Sequence, residues 1–481
     1  PAQMISKPRN MKNHLRSVLA CSVILFGVTA FSMAQKTAVY DQPDAEFRDA
    51  QELFNKEKFG AAQQKYLNVI DMTKDGFNEL TAQSRYYAAM CALELFNSDA
   101  EYHVVNYVRS HPEHIRVNAV WMHLARYHFR FKNYDEALEA FSRLDVYKLS
   151  EEEKHEYYFK SGYAHLMGGD LTSAKAALFE VKDKESRYAS GATYYFAHIS
   201  YTEKNYETAL KSFQKLQKDE VYGRFTPYYI TQIYYIHEKY DELLRVGPAL
   251  LDSAISKRAP EIARMIGSAC FKTGRWEEAI HYLHLYLDKS EGKAGRDDYY
   301  ELAYAYYQRK DYVSASKWFQ KVNTDKEDQL SQSALYHQAD CLLKMGDRIN
   351  ALNYFNMTYQ MGIDPVLTEN ALLNYAKLGY ESGYNPYNEA VRSFQKYITE
   401  YPNSGRIDEA YEYLSELYVS TRNYKDAILS LESIKQRDLK LNRAYQKVCY
   451  FRGVELFNDQ KLEEAMAHFD KALKNQVLPN V

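Results

Sequence analysis

The stretch Tyr299–Phe319, YYELAYAYYQRKDYVSASKWF, shows the hydrophobic pattern on which the chain is organised. Apolar Tyr299, Leu302, Ala303 and Tyr306 recur at intervals of three and four, the period of a buried helix face. Asp311-Tyr312 marks a turn, and Ala315 and Phe319, four apart, place a second helix after it. Ala303 and Ala315 are small, so the two helices can approach closely. Tyr312 fills the space beside the turn, and Phe319 is the large knob between neighbouring pairs. One pair cannot bury its apolar face alone, so the pattern requires stacked neighbours.

Those neighbours recur along the sequence. Each can be marked by the residue after the turn and the small-x3-large pair that follows. Phe59 carries Ala62-x3-Tyr66. A degenerate pair is built on Tyr86, Ala89 and Leu93, with its second helix near Tyr102–Val108. Tyr134 carries Ala137-x3-Phe141 after Trp121, Leu124, Ala125 and His128. Leu171 carries Ala174-x3-Leu178, Tyr206 carries Ala209-x3-Phe213, and Tyr240 is irregular, with Leu243 and Gly247. Trp276, Arg348, Tyr387, Tyr424 and Leu462 follow with Ala279-x3-Leu283, Ala351-x3-Phe355, Ala390-x3-Phe394, Ala427-x3-Leu431 and Ala465-x3-Phe469. Gly162, Gly267 and Gly453 stand where Ala303 does. Tyr387 follows a longer turn, 383–386. Pro112, Pro227, Pro365 and Pro402 fall near junctions, where helices must stop.

This spacing of W-x2-L-G-x2-Y-like and A-x3-F-like positions resembles the tetratricopeptide (TPR) repeat. From Tyr134 the markers step by 34 to 39 residues. The resemblance covers about residues 44 to 475 and implies an all-α fold, a right-handed superhelical solenoid of about twelve helix-turn-helix repeats. Residues 476–481 form a truncated or uncapped end. No polar capping helix is evident there, so the natural chain is expected to continue or another element to cover this end.

Before the array, Pro1–Asn10 reads as upstream sequence, with Met11 as the start and Met4 as the alternative. Lys12, His14 and Arg16 form a basic region, Val18–Phe31 an apolar one, and Ser32-Met33-Ala34 a small-x-small cleavage site. Met11–Ala34 is therefore expected to be a signal peptide, followed by a polar lead-in over 35–43. A short membrane anchor is the alternative, although the apolar run is short for a span. Val18-Leu19-Ala20-Cys21 resembles a lipid-attachment site, but it lies before most of the apolar region. The expected location is the periplasm, peripheral to a membrane at most.

Charge and composition narrow the function. Net charge is −3, and residues 1–34 hold four basic and no acidic residues, so the remainder stands at −3 − 4 = −7. A mildly acidic array without a basic block argues against nucleic acid as the main ligand. Tyrosine is abundant, 46 residues against 22 Phe and 3 Trp. It suits a thin array, because its ring can be buried while its hydroxyl stays wet. Cys91, Cys270, Cys341 and Cys449 fall on first helices of distant repeats, too far apart for disulfides or zinc, and read as small core residues. His281 and His284, and His111 and His114, lack further ligands nearby. No G-x-S-x-G, P-loop or H-E-x-x-H motif is present, and the chain reads as non-enzymatic, without cofactor or metal. Glu277-Glu278 and Glu463-Glu464 suit helix N-termini.

The family resemblance implies that the fifth, ninth and twelfth positions of each first helix line a ligand-binding groove. Here they read Phe159 and Tyr163; Tyr194, His198 and Tyr201; Tyr228, Gln232 and Tyr235; Tyr300, Tyr304 and Tyr307; then Tyr336 and Asp340. The stripe suits an extended peptide or a helix of a protein partner. It equally suits tyrosines packing on one another. The Lys/Asn/Arg clamp of chaperone-tail-binding relatives is absent. The expected function is a non-enzymatic periplasmic scaffold for protein–protein interaction in cell-envelope assembly, division or secretion, similar to exported envelope TPR proteins of Gram-negative bacteria, including coordinators of the Tol–Pal system. The alternative is direct binding of peptidoglycan or another envelope glycan through the tyrosine-rich groove.

Overall fold

The computed structural model describes residues 43–73, 78–290, 292–322, 326–381, 387–420, 422–434 and 439–474. The expected leader with Cys21, the lead-in up to 42, the turn 383–386 and the end 476–481 lie outside the described residues. The described chain is α-helical and divides into two compact units, 1–222 and 223–481.

The first unit holds five helix pairs: α1 Pro43–Asn55 with α2 Phe59–Met72, α3 Glu79–Glu94 with α4 Ala100–Ser110, α5 Val117–Arg130 with α6 Tyr134–Ser142, α7 Glu151–Met167 with α8 Leu171–Phe179, and α9 Ala189–Thr202 with α10 Tyr206–Lys215. The second holds seven: α11 Thr226–Ile236 with α12 Tyr240–Ser253, α13 Ala259–Lys272 with α14 Trp276–Lys289, α15 Arg296–Gln308 with α16 Tyr312–Val322, α17 Gln329–Lys344 with α18 Arg348–Met361, α19 Pro365–Glu381 with α20 Tyr387–Glu400, α21 Ile407–Ser420 with α22 Tyr424–Ser433, and α23 Leu439–Asn458 with α24 Leu462–Lys474. These are twelve pairs among the described residues. Every second helix but α4 begins at the residue that marks its repeat in the sequence.

One turn geometry closes the pairs whose turns lie within the described residues. In the pair α15–α16, Lys310 N–H donates to the Tyr307 carbonyl at 2.9 Å and Asp311 N–H to the Tyr306 carbonyl at 3.0 Å. These are the two bonds of a Schellman cap, which requires a left-handed residue just past the helix. Lys310 supplies it with φ +62°. Glu57, Lys132, Lys204, Glu238, Arg422 and Gln460 stand at the same place, two residues before a second helix, with φ between 55° and 64°. Gly169, Gly274 and Gly346 fill it in three further pairs. In the degenerate pair the left-handed residue is Phe96, φ 57°, four residues before α4.

Packing follows the motif. Ala62, Ala137, Ala174, Ala209, Ala279, Ala315, Ala351, Ala390 and Ala427 are buried, as are the large residues four positions on: Tyr66, Phe141, Leu178, Phe213, Leu283, Phe319, Phe355, Phe394 and Leu431. The three glycines at the eighth position are explained by close approach. A Cβ on Gly162 would sit 2.8 Å from Leu178 Cγ, one on Gly267 2.9 Å from Leu283 Cγ, and one on Gly453 2.6 Å from Phe469 Cε1. In each case the obstacle is the large residue of the A-x3-F pair, so the two halves of the motif are in direct contact across the hairpin.

Pro227 falls in the first turn of α11 and Pro365 opens α19, while Pro112 and Pro402 lie between helices. Pro248 lies inside α12, a position the motif does not anticipate. Among the described residues, Cys91, Cys270, Cys341 and Cys449 are buried on first helices and form no disulfide. Burial pushes the thiols of Cys91, Cys270 and Cys341 up to about 12, so they are inert packing groups.

Candidate functional site

The stripe expected on the first helices lies half-buried in both units, and its rings lean on one another. In the first unit Phe159 stacks on Tyr188 with centroids 5.3 Å apart, Tyr163 meets Tyr195 edge-on at 4.9 Å, and Tyr194 stacks on Tyr222 at 5.0 Å. Tyr195 also touches Phe159 and Tyr194, so it joins the expected residues of α7 and α9 into one aromatic group. Tyr201 packs on Tyr206. Burial pushes His198 below its ordinary value, which keeps that ring neutral at pH 7.

In the second unit, Tyr300, Tyr304 and Tyr307 of α15 surround His337 of α17 at 6.3, 5.0 and 5.1 Å. His337 lies one residue outside the expected stripe, yet it is the hub. Burial pushes it down to about 4, so it acts as a neutral aromatic wall. Tyr304 also meets Phe271 and Trp276, and Tyr336 meets Phe355. The Tyr307 hydroxyl donates to Asp340 Oδ2 at 2.7 Å, linking two expected residues from successive first helices. Tyr228 lies under the Arg258 guanidinium at 4.3 Å, and Gln232 is half-buried on the same helix. The two readings of the stripe therefore meet: the tyrosines pack on each other while remaining part of a half-exposed face.

Polar residues that the sequence did not single out complete this face. The Tyr235 hydroxyl and Ser268 Oγ lie 2.9 Å apart, and Ser268 Oγ donates to Glu301 Oε1 at 2.8 Å. This chain crosses three successive first helices, α11, α13 and α15. Burial outweighs the Ser268 hydrogen bond and the nearby Lys272 and Arg264 charges, and pushes Glu301 up to about 7. In the first unit Arg126 of α5 and Lys160 of α7 both hold the Glu156 carboxylate. Glu156 and Glu301 are each the sixth residue of their helix, three before Phe159 and one after Tyr300 of the positions taken from the family pattern. A polar residue on an otherwise aromatic helix face was the only signal for them.

The remaining candidates resolve into packing roles. His284 Nε2 lies 2.8 Å from the Tyr306 hydroxyl, and His114 Nδ1 lies 2.6 Å from that of Tyr107. Among the described residues no group of three His, Cys, Asp or Glu side chains is placed to hold a metal ion. No described helix is long and apolar enough to cross a membrane. What the first-helix faces offer chemically is fixed ring edges, hydroxyls and carboxylates.

Residues 370–404, which contain α20 and most of α19, match the family model for the tetratricopeptide repeat. The pairs around them repeat its two helices and its buried alanine with a large apolar residue four positions on. The described residues thus form an all-α array of helix hairpins, one of which, at 370–404, is a tetratricopeptide repeat. No curated protein matches the chain in sequence. Among solved structures, it is similar to the Naa15/Naa10 complex bound to HypK-THB at 12% identity, over 89% of this chain and 68% of that one, with a TM-score of 0.40. It is similar to pilF of Pseudomonas aeruginosa at 16% identity, over 45% of this chain and 96% of that one, with a TM-score of 0.32. The P58(IPK) TPR domain is 15% identical over 79% of this chain and 99% of that one, with a TM-score of 0.22.

Proposed function

We propose that this protein is an exported scaffold that holds an extended polypeptide partner against its first-helix faces in the cell envelope. A tetratricopeptide array suggests protein–protein interaction. The observation that carries the fuller reading is the fixed state of the tyrosine face. Tyr304 and Tyr307 are held by His337, and Tyr307 by Asp340, before any partner arrives. Preset rings offer contact area with little side-chain entropy left to lose. The basic, apolar and small-x-small pattern of Met11–Ala34 supports export.

The test is a pull-down from envelope extract with the full chain and with Tyr304→Ala. The reading expects a partner recovered by the first and lost with the second, and recovery of nothing above control overturns it. Expression with the leader intact should yield a mature N-terminus at Gln35. A glycan groove would need ring faces open to sugars, whereas Tyr300 stacks on Tyr304 and meets Phe319 edge-on. Sedimentation with purified cell wall separates the two readings, and a scaffold for polypeptides stays in the supernatant.

A further inference from the structure

Two repeats treat the same interior corner differently. In the α15–α16 pair, Trp318 stacks on Tyr299 with centroids 5.8 Å apart and planes at 24°. His284, from the second helix before, meets the Trp318 ring edge-on at 5.7 Å and holds the Tyr306 hydroxyl. The Lys321 ammonium lies 3.9 Å from the Trp318 ring centre. The corner is filled by the chain itself.

Counting from the first residue of each second helix gives the counterparts in the first unit. Tyr299 corresponds to Tyr158, Trp318 to Ala177, His284 to Ser142, Tyr306 to His165 and Lys321 to Glu180. The tyrosine floor is kept. The indole has become a methyl group, the imidazole a hydroxymethyl group, and the ammonium a carboxylate. These five residues line a cleft of about 520 Å³. An indole side chain fits such a volume, and the other repeat shows how one sits on this floor.

We propose that this cleft takes a tryptophan side chain presented by a partner polypeptide. Its ring would lie on Tyr158 over Ala177, where the protein places its own Trp318 in the other unit. The change from Lys321 to Glu180 gives the choice of residue. An ammonium suits the π-face of a ring already in place, whereas a carboxylate at the rim suits a ligand that brings an N–H donor. Phenylalanine would leave the carboxylate without that bond, and leucine would lose the stacking as well. The cleft is lined by residues of α6, α7 and α8 outside the tyrosine stripe, so it stands whether or not the first-helix face binds anything.

The test uses the full chain and N-acetyltryptophan amide, followed by saturation-transfer NMR, with the phenylalanine and leucine amides as comparators. Saturable binding in the order tryptophan, phenylalanine, leucine is expected. Ala177→Trp, which lets the protein fill its own cleft, should weaken the tryptophan probe by about tenfold or more with unchanged helicity. Glu180→Lys changes an exposed rim position and should erase the preference of tryptophan over phenylalanine. Tyr304→Ala should leave the probe unaffected. No saturation up to the solubility limit of the probe, equal binding of the leucine amide, or full binding by both Ala177→Trp and Glu180→Lys overturns the proposal.

Discussion

The Arg126 guanidinium donates two hydrogen bonds to the Glu156 carboxylate, Nε to Oε1 at 2.8 Å and Nη2 to Oε2 at 2.7 Å, and so ties α5 to α7. Burial raises the Glu156 pKa, but the bonds from Arg126 and Lys160 outweigh it and bring the carboxyl to about 2, below its ordinary 4.5. A lowered folded-state value means that the associated stability is complete above pH 4.5 and is lost as pH falls toward 2. Arg126→Ala should cost about 2–4 kcal/mol at pH 7, because it strips a buried carboxylate of its main partner. The double change Arg126→Met with Glu156→Leu should recover most of that loss. Urea denaturation between pH 7 and pH 2 checks both.

Glu301 has the opposite sign. Its folded-state value stands near 7, above the ordinary 4.5, so the folded protein holds a proton that the unfolded chain has released. Stability should therefore fall as pH rises from 4.5 to about 7 and level off beyond. Glu301→Gln keeps an acceptor for Ser268 and removes the charge. It should raise stability at pH 8 by on the order of 1–3 kcal/mol and flatten the decline. A Glu301→Gln variant that declines with pH as steeply as the parent would contradict this account.

Gly267 is expected to resist enlargement. An added Cβ would meet Leu283 Cγ at 2.9 Å and the Leu283 backbone nitrogen at 3.1 Å, and a backbone atom cannot swing aside. Gly267→Ala should lose about 1–2 kcal/mol, overpacking outweighing the gain in helix propensity. Gly60→Ala, with nothing within 4 Å of the new Cβ, should be neutral or slightly stabilising. Thermal melts of the two single variants give the comparison.

The left-handed turn residues are expected to gain from glycine. Lys204, Glu238 and Lys310 hold φ of 63°, 55° and 62°, where a side chain is strained. Each change to glycine should add about 0.5–1 kcal/mol, the relief of strain exceeding the extra entropy of the unfolded chain. Because these turns lie in separate hairpins, Glu238→Gly and Lys310→Gly should add nearly independently. Equilibrium unfolding of the singles and the double measures this.

The hairpins were legible because their signature is local. A small residue and a large one four apart announce the contact that Gly162 makes with Leu178, and the residue after the turn marks where each second helix starts. The turns were legible only in part. Gly169, Gly274 and Gly346 carry the usual sign of a left-handed residue, whereas Lys310 or Glu57 in the same conformation looks like any surface position. Phe96 is harder still, since a bulky aromatic is the last residue that composition would assign there. Within the stripe, the family pattern supplied Tyr304 and Asp340 but not their arrangement around His337. That arrangement depends on ring orientation and on side chains from the next repeat, as do the Ser268–Glu301 and Arg126–Glu156 pairings. No single repeat contains enough information to show them.

The shared turn has a genetic consequence. Since backbone bonds rather than particular side chains close nearly every hairpin, an unequal exchange between two copies of the turn would insert or remove one complete pair and leave no helix half-built. Array length would thus change in whole-hairpin increments, while pairings across a seam, such as that of Arg126 with Glu156, would have to be matched anew.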